Sequence, residues 1–194
     1  RAPSFEERIA QGGTIGYLIL TVGAIGVLFV IERAIYLLAV GSKVKAQIRS
    51  DEIKENNPLG RVLAVHAANR DADVETLELK IDEAILKEMP ALERFLTMIK
   101  LISAIAPLMG LLGTVTGMIE TFQSMTLFGT GDPKLMAGGI SAALMTTVLG
   151  IVVALPTLFL HSIVNGMSQS VVHTIDEQSA GIIAVHAEQH NKGA

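Results

Sequence analysis

The sequence contains no cysteine and no tryptophan, and only 18% of its 194 residues are charged. Without cysteine the chain can form neither disulfides nor cysteine-ligated metal sites, so only histidine, aspartate and glutamate are left as metal-ligating candidates. The formal net charge is −4 and the lysines and arginines form no cluster, which excludes the basic surface typical of nucleic-acid-binding domains. Half of the residues are apolar and the mean hydropathy is +0.49. This balance indicates a membrane protein.

Three uncharged runs, of 20, 19 and 26 residues, are long enough to cross a bilayer: 12–31, 101–119 and 135–160. A transmembrane helix needs about 20 apolar residues, so we predict three spans. The first is expected to continue past Glu32 and Arg33 to about Val40, with these two side chains reaching the interface or pairing. Residues 41–100 carry ten of the fifteen lysines and arginines. The positive-inside rule therefore places this segment in the cytoplasm.

The predicted fold is all-α, with three transmembrane helices and long cytoplasmic helical extensions. Its divisions are a periplasmic N-terminal segment (1–11), the first span (12–40), a cytoplasmic helical insert (41–100), the second span (101–124), a short periplasmic loop (125–134), the third span (135–164) and a cytoplasmic C-terminal tail (165–194). Because the chain begins at Arg1 rather than at methionine, we expect that a preceding segment was removed. Both a signal peptide and an upstream domain are compatible with this start.

Helix signals also mark the insert and the tail. Asn57 is a predicted cap, with Pro58 at the first helical position. After Asp73, apolar residues recur every three to four positions and predict a helix that enters the second span without a break, with Pro90 as a candidate kink. This stripe comprises Leu77, Ile81, Ile85, Met89, Leu92, Leu96 and Ile99. A weaker stripe predicts that the third span continues as a tail helix: Val171, Ile175, Ile182 and Val185.

Small and hydroxylated side chains share one helical face in each of the last two spans. In the second span these are Ser103, Pro107, Gly110, Thr114, Gly117 and Thr121. In the third they are Ala143, Thr147, Gly150, Ala154, Thr157 and His161. Small residues allow membrane helices to approach closely, so tight packing alone explains every glycine and alanine. Thr114 and Thr147, however, lie at the same depth, each roughly 4–5 Å outward of its span's middle. A level pair of hydroxyls is what a polar ring within an assembly would need.

Two stretches carry a family resemblance. "APLMGLLGTVTGMI" (106–119) and "GGISAALMTTVLGIVVALPTLFLHSIVN" (138–165) resemble the MotA/TolQ/ExbB family of proton-channel subunits, and the ExbB branch fits best. The start "FEERIAQGGTIGY" looks like the longer ExbB variants called TtpC. The layout of the first span, the insert and the tail is also similar.

The resemblance implies a homo-oligomeric, pentameric ring in the inner membrane of a Gram-negative bacterium. The second and third spans would face a central pore, where two helices of an ExbD-like single-span partner supply an acidic residue that takes up and releases protons. Proton flow would energise TonB, which acts on the outer-membrane import of iron-siderophores or vitamin B12. The resemblance implies neither an enzyme activity nor a cofactor.

Matched residue by residue, the resemblance places Thr114 and Thr147 beside the partner's carboxylate. The other positions predicted to line the ion pathway or to face the partner have small side chains: Gly110, Gly113, Gly117, Ala143, Gly150 and Ala154. The proline in each motif, Pro107 and Pro156, is a predicted helix kink.

One position departs from the resemblance. Many relatives have a glutamate where this chain has Ala142, so a proton step assigned to that acid does not carry over. Glu120 is the only acid within the last two spans and lies roughly 13 Å from the middle of its helix by helical rise. We expect it to reach the interface, or alternatively to guard an outer pore mouth. His161 is either a residue at the membrane interface or part of the proton exit at the inner end of the pathway.

Two short motifs are given little weight. "GTGD" (129–132) matches intramembrane aspartyl proteases, but a second embedded aspartate is lacking and Asp132 before a proline is typical of a turn. His186 and His190 have helical spacing, but the zincin pattern needs a glutamate where Ala187 stands, so a solvated tail helix is expected. The alternatives that stay open are a TolQ- or MotA-like stator subunit and a non-conducting membrane scaffold.

Overall fold

The computed structural model describes residues 4–129 and 133–193, except for the side chains of Phe5, Arg8, Phe128 and Lys192. Within this part the chain forms six α-helices and no strand. In chain order these are α1 (Phe5–Gln11), α2 (Gly13–Ile48), α3 (Pro58–Ala68), α4 (Val74–Glu93), α5 (Leu96–Phe128) and α6 (Pro133–Gly193). By length and composition, α2, α5 and α6 are able to cross a membrane. The predicted all-α fold with three spanning helices is confirmed.

The chain divides into two packed units. The membrane unit consists of the described residues of 1–30 and 96–162, and the insert unit consists of those of 31–95 and 163–194. Both α2 and α6 contribute residues to each unit. The insert unit has a buried apolar core of its own, which includes Leu37, Leu77, Ile81 and Ile175. The charged segment between the first two spans is therefore a folded part of the protein rather than a linker.

The helices of the insert begin at the predicted caps. The Asn57 side chain accepts a hydrogen bond from the Gly60 amide at 2.7 Å, and Pro58 is the first residue of α3. The Asp73 side chain accepts one from the Thr76 amide at 3.0 Å and starts α4. Because this bond stabilises the ionised carboxyl group, the pKa of Asp73 lies below its ordinary value. Both helix starts are confirmed.

The predicted unbroken passage from the insert into the second span is wrong. Helix α4 continues through Pro90 but ends at Glu93, and α5 begins at Leu96. Between them Phe95 adopts a φ of 63°, in the left-handed region that non-glycine residues seldom occupy. The apolar period runs across this point without change, and Leu92 and Leu96 are both buried. Periodicity alone therefore gave no sign of the break.

Arg33 stabilises the end of α4. Its side chain is only 2% exposed, and its Nη1 donates to the carbonyl oxygen of Ala91 at 2.8 Å. Carbonyls in the last turn of a helix lack an intrahelical partner, so a buried guanidinium satisfies one of them. The guanidinium carbon lies 4.4 Å from the ring centre of Tyr36 and 5.8 Å from that of Phe95. The predicted pairing with Glu32 is confirmed, with Nε 2.7 Å from a carboxylate oxygen.

The third span continues as a tail helix, as predicted, but its buried face differs from the predicted stripe. Val171 and Ile175 are buried, whereas Val185 is 55% exposed and His186 is buried in its place. The prediction that this stretch is a solvated tail helix is therefore wrong at His186. Its Nε2 lies 2.9 Å from the carbonyl oxygen of Ala72, which precedes α4. This bond compensates for burying the imidazole.

His66 of α3 packs edge-on against His186, with ring centres 5.8 Å apart. Desolvation by burial, followed by the nearby charges of His186 and Arg70, lowers the pKa of His66 below its ordinary value of 6.5. In the folded protein the neutral imidazole is consequently favoured relative to the unfolded chain.

Acidification is therefore expected to weaken the insert unit. The unfolded chain binds a proton at His66 more readily than the folded chain, so this contribution to stability is complete above about pH 6.5 and is lost as the pH falls through the lower pKa of the folded state. The thermal midpoint measured from pH 8 to pH 5 should fall, and it should fall less in a His66→Gln variant. An equal fall in both proteins would contradict the assignment to His66.

Candidate ion-pathway site

Helices α5 and α6 meet through backbone at two glycines. A Cβ atom added at Gly110 would lie 2.8 Å from the carbonyl oxygen of Thr146, and one added at Gly150 would lie 2.6 Å from that of Ala106. One added at Gly117 would lie 2.7 Å from the Cβ of Ala143. Real side-chain atoms do not approach this closely, so only glycine fits. The packing role that the sequence indicated for these small residues is confirmed.

At this crossing the hydroxyls of Thr114 and Thr147 form a hydrogen bond with each other. The Thr114 Oγ1 atom also lies 3.2 Å from the carbonyl oxygen of Gly110 and 3.3 Å from that of Ala143. The Thr147 Oγ1 atom lies 3.4 Å from the same Gly110 oxygen. The structure thus brings together the two threonines that the sequence placed at equal depth.

A third threonine, which was not predicted from the sequence, lies at this crossing. Thr146 is only 4% exposed, and its Oγ1 lies 2.7 Å from the carbonyl oxygen of Ala143 and 3.0 Å from that of Gly110. It falls one residue off the predicted face. The structure shows why position 113 on α5 is a glycine: a Cβ there would lie only 2.6 Å from the Thr146 Cβ. The glycine on α5 leaves the space that the branched side chain of Thr146 on α6 occupies.

The Gly110 carbonyl is therefore shared by three hydroxyls, those of Thr114, Thr146 and Thr147. A carbonyl oxygen has two lone pairs, and each hydroxyl has one proton that can rotate between acceptors. Since the Ala143 carbonyl is a second acceptor for two of these hydroxyls, the group has more than one satisfied arrangement. Such a group can accept from a neighbour through a lone pair, or rotate the Thr114 hydroxyl to donate to it while Thr146 and Thr147 still bond the two carbonyls.

The remaining predicted positions are spread along the same two helices. Ala154 is buried on α6, and His161 is half-buried near the end of the membrane unit. Helices α5 and α6 continue through Pro107 and Pro156, and a kink at either proline stays a prediction. That the threonine face looks upon a central axis likewise stays a prediction.

Glu120 is exposed and lies in the lining of a cavity of about 850 Å³ within the membrane unit. Residues of the α1–α2 junction, of α5 and of α6 form this cavity. Ala142, where the family resemblance implies a glutamate, lines the same cavity as Glu120. Two positions that are 22 residues apart in the sequence therefore face one space.

Neither discounted motif gains support as a catalytic or metal site. Residues 130–132 of "GTGD" lie outside the described residues. The rings of His186 and His190 are stacked with centres 6.1 Å apart. Across the part of the chain that the structure describes, histidines and carboxylates form no group of three able to hold a metal ion.

Comparison with protein families gives a match that covers most of the chain. The model described as the MotA/TolQ/ExbB proton channel family matches residues 54–177. The matched range contains most of the insert, the whole α5–α6 crossing and the first part of the tail.

Individual relatives extend the similarity to almost the full chain. An ExbB-like biopolymer transport protein of Synechocystis sp. is 29% identical over 93% of this chain and 94% of its own length. An ExbB homologue of Methanothermobacter thermautotrophicus is 27% identical over 88% of this chain, but the chain covers only 66% of that relative, just under two thirds. The biopolymer transport protein ExbB of Helicobacter pylori is 42% identical over 71 residues, which are 37% of this chain.

Proposed function

Because this chain belongs to the MotA/TolQ/ExbB proton channel family, we propose that it is an inner-membrane ion-channel subunit that couples the proton-motive force to work at the outer membrane. It is a multi-pass membrane protein with three spanning helices. In the proposed assembly it forms a pentameric ring around an ExbD-like single-span partner and drives a TonB-like protein. The TonB-like protein would drive the import of siderophores or vitamin B12 across the outer membrane. The names of the relatives, ExbB and ExbB-like biopolymer transport proteins, favour this branch.

The observation that carries the proposal is the threonine group over the Gly110 carbonyl. A carboxylic acid inside a membrane has a raised pKa, so it exchanges its proton only if neighbours tolerate both protonation states. Hydroxyls can donate to a carboxylate and accept from a carboxylic acid. The Thr114–Thr147 pair is therefore suited to a partner's acid that must be charged and neutral in turn, whereas lysine or arginine would hold it charged.

The exposed apolar surface of α5 fits an assembly as well as lipid. Large apolar side chains along this helix are half exposed or more, among them Leu108, Leu111, Leu112, Ile119 and Phe122. A single copy in water would not leave such a surface open. In the proposed ring, neighbouring copies and the bilayer cover it.

The test is reconstitution of the chain with a single-span partner that carries one membrane-embedded acid. We expect native mass spectrometry to find several copies of the chain with the partner, and vesicles of the complex to take up protons under an imposed membrane potential. Replacing the partner's acid with its amide should stop uptake. A stable complex without uptake would instead support the non-conducting scaffold, which the glycine packing at α5–α6 favours equally well.

A TolQ- or MotA-like stator role is distinguished by the downstream partner. The chain should sustain nutrient import in cells that lack their own ExbB-type subunit, and it should not restore motility to cells that lack the flagellar stator. The opposite pattern would place the chain in the MotA branch.

A further inference from the structure

The cavity beside Glu120, here called the side chamber, is lined by three parts of the membrane unit. Gln11 and Thr14 line it from the α1–α2 junction, Thr116 and Glu120 from α5, and Thr146 from α6. Its volume of about 850 Å³ is far more than the roughly 30 Å³ that one water molecule occupies in the liquid. Among the described residues that line it, Glu120 is the only ionisable one.

The chamber wall contributed by α5 presents acceptors rather than donors. The hydroxyls of Thr116, Thr121 and Ser124 each donate to a backbone carbonyl one turn earlier, at 2.9, 2.8 and 2.9 Å. Their lone pairs are left for a guest, since a hydroxyl has one proton and two lone pairs. Within the described residues, the carboxylate of Glu120 makes no hydrogen bond or ion pair. A wall of acceptors with one negative charge favours a guest that donates protons and carries positive charge.

The side chamber reaches the threonine group. Thr146 lines the chamber, and its hydroxyl shares the Gly110 carbonyl with Thr114 and Thr147. Ala143 also lines the chamber, and its carbonyl accepts from the hydroxyl of Thr114 at 3.3 Å. The Gly110 carbonyl therefore links a hydroxyl of the chamber lining, that of Thr146, to the hydroxyls of the threonine pair.

We propose that the side chamber is a water-filled antechamber inside each subunit, through which hydronium or a small hydrated cation reaches the threonine pair, with Glu120 as the collecting carboxylate. This proposal rests on the proposed channel function. It adds a lateral route that lies within one chain, distinct from the central axis where the partner would sit. Ala142 lines the same chamber from α6 with a methyl group, so the carboxylate that serves this chamber is that of Glu120 on α5.

The first experiment measures whether the chamber holds water. The chain has no cysteine, so a single Ala142→Cys variant in the reconstituted complex carries one thiol per subunit. A water-soluble, positively charged methanethiosulfonate reagent should modify it about tenfold faster, or more, than a Leu144→Cys control, because thiols react as hydrated thiolates. Leu144 is two residues away on α6 and is 53% exposed on an apolar surface. Equal or slower modification at Ala142→Cys would overturn the antechamber.

The second experiment measures the role of Glu120 in the same complex. Glu120→Gln should lower cation flux about tenfold while Glu120→Asp retains most of it, and a Glu120→Ala/Ala142→Glu double variant should recover flux by returning a carboxylate to the chamber. Glu6→Gln, on the exposed face of α1, is the matched control and should conduct normally. Flux in sodium-free buffer assigns the guest as hydronium, and a requirement for sodium assigns it as the metal ion.

The outcomes separate the two proposals. If the unmodified complex conducts and Glu120→Gln conducts equally well, the collecting role of Glu120 is wrong and the channel function stands. If the unmodified complex does not conduct at all, the channel function fails, and the delivery role fails with it.

Discussion

Replacing Thr147 by valine is expected to abolish most ion flux and to leave the protein assembled. Valine keeps the branched shape of threonine but has no hydroxyl, so the bond to Thr114 and the contact with the Gly110 carbonyl disappear. Thr114 keeps its two carbonyl acceptors, and no buried donor is left without a partner. We expect the flux to fall about tenfold or more, which corresponds to an increase of about 1.4 kcal/mol in the barrier to conduction.

The measurement combines proton uptake by vesicles with the mass of the complex from native mass spectrometry. Thr126→Val is the matched control, because the hydroxyl of Thr126 on α5 donates only to the carbonyl of Phe122 in its own helix at 2.8 Å. This variant should conduct normally. A Thr147→Val complex that conducts at the rate of the unmodified protein would remove the threonine pair from the ion pathway and leave it with a packing role.

Replacing Gly150 by alanine is expected to have the largest effect on folding. The new Cβ would lie 2.6 Å from the carbonyl oxygen of Ala106 and 3.2 Å from the Cα of Gly110. These neighbours are helix backbone and cannot rotate away, so α5 and α6 must separate. Overpacking of this kind costs about 1–3 kcal/mol, and the separation would also pull the α6 hydroxyls of Thr146 and Thr147 out of reach of the Gly110 carbonyl.

The checks are the thermal midpoint in detergent and the fraction of chain recovered as assembled complex, both of which should drop. Gly138→Ala is the matched control on the same helix, because a Cβ there meets nothing within 4 Å. Alanine favours a helix over glycine by up to about 1 kcal/mol, so this variant should be at least as stable as the unmodified protein. If Gly150→Ala were equally well tolerated, the close crossing of the two helices would be refuted.

Several features of the fold could be predicted because their signals are local. An apolar run of about 20 residues crosses a bilayer as a helix, because a helix bonds all its backbone N–H and C=O groups internally. The three predicted runs lie in helices long enough to span. Asn57 and Asp73 act as caps because a short polar side chain reaches an amide two or three residues ahead. The equal depth of Thr114 and Thr147 followed from the helical rise and from the opposite directions predicted for the two spans.

Features that depend on distant partners were missed or predicted wrongly. At the break near Phe95, the end of α4 is bonded by Arg33, which lies 62 residues earlier in the chain. The burial of His186 depends on the carbonyl of Ala72. Neither feature changes the spacing of apolar residues along the sequence. That spacing shows only which side of a helix is buried, and not which residues cover it.

For the candidate site, the sequence alone determined which helices cross the membrane, which faces carry small and hydroxylated residues, and which family the two motifs resemble. Only the tertiary structure decided that Thr146 joins Thr114 and Thr147 on one carbonyl and that Glu120 and Ala142 line one chamber. The physical reason is that residue spacing sets the face and height of a side chain on its own helix. The rotation and separation of two helices, which bring their side chains into contact, are set by the glycines where their backbones meet.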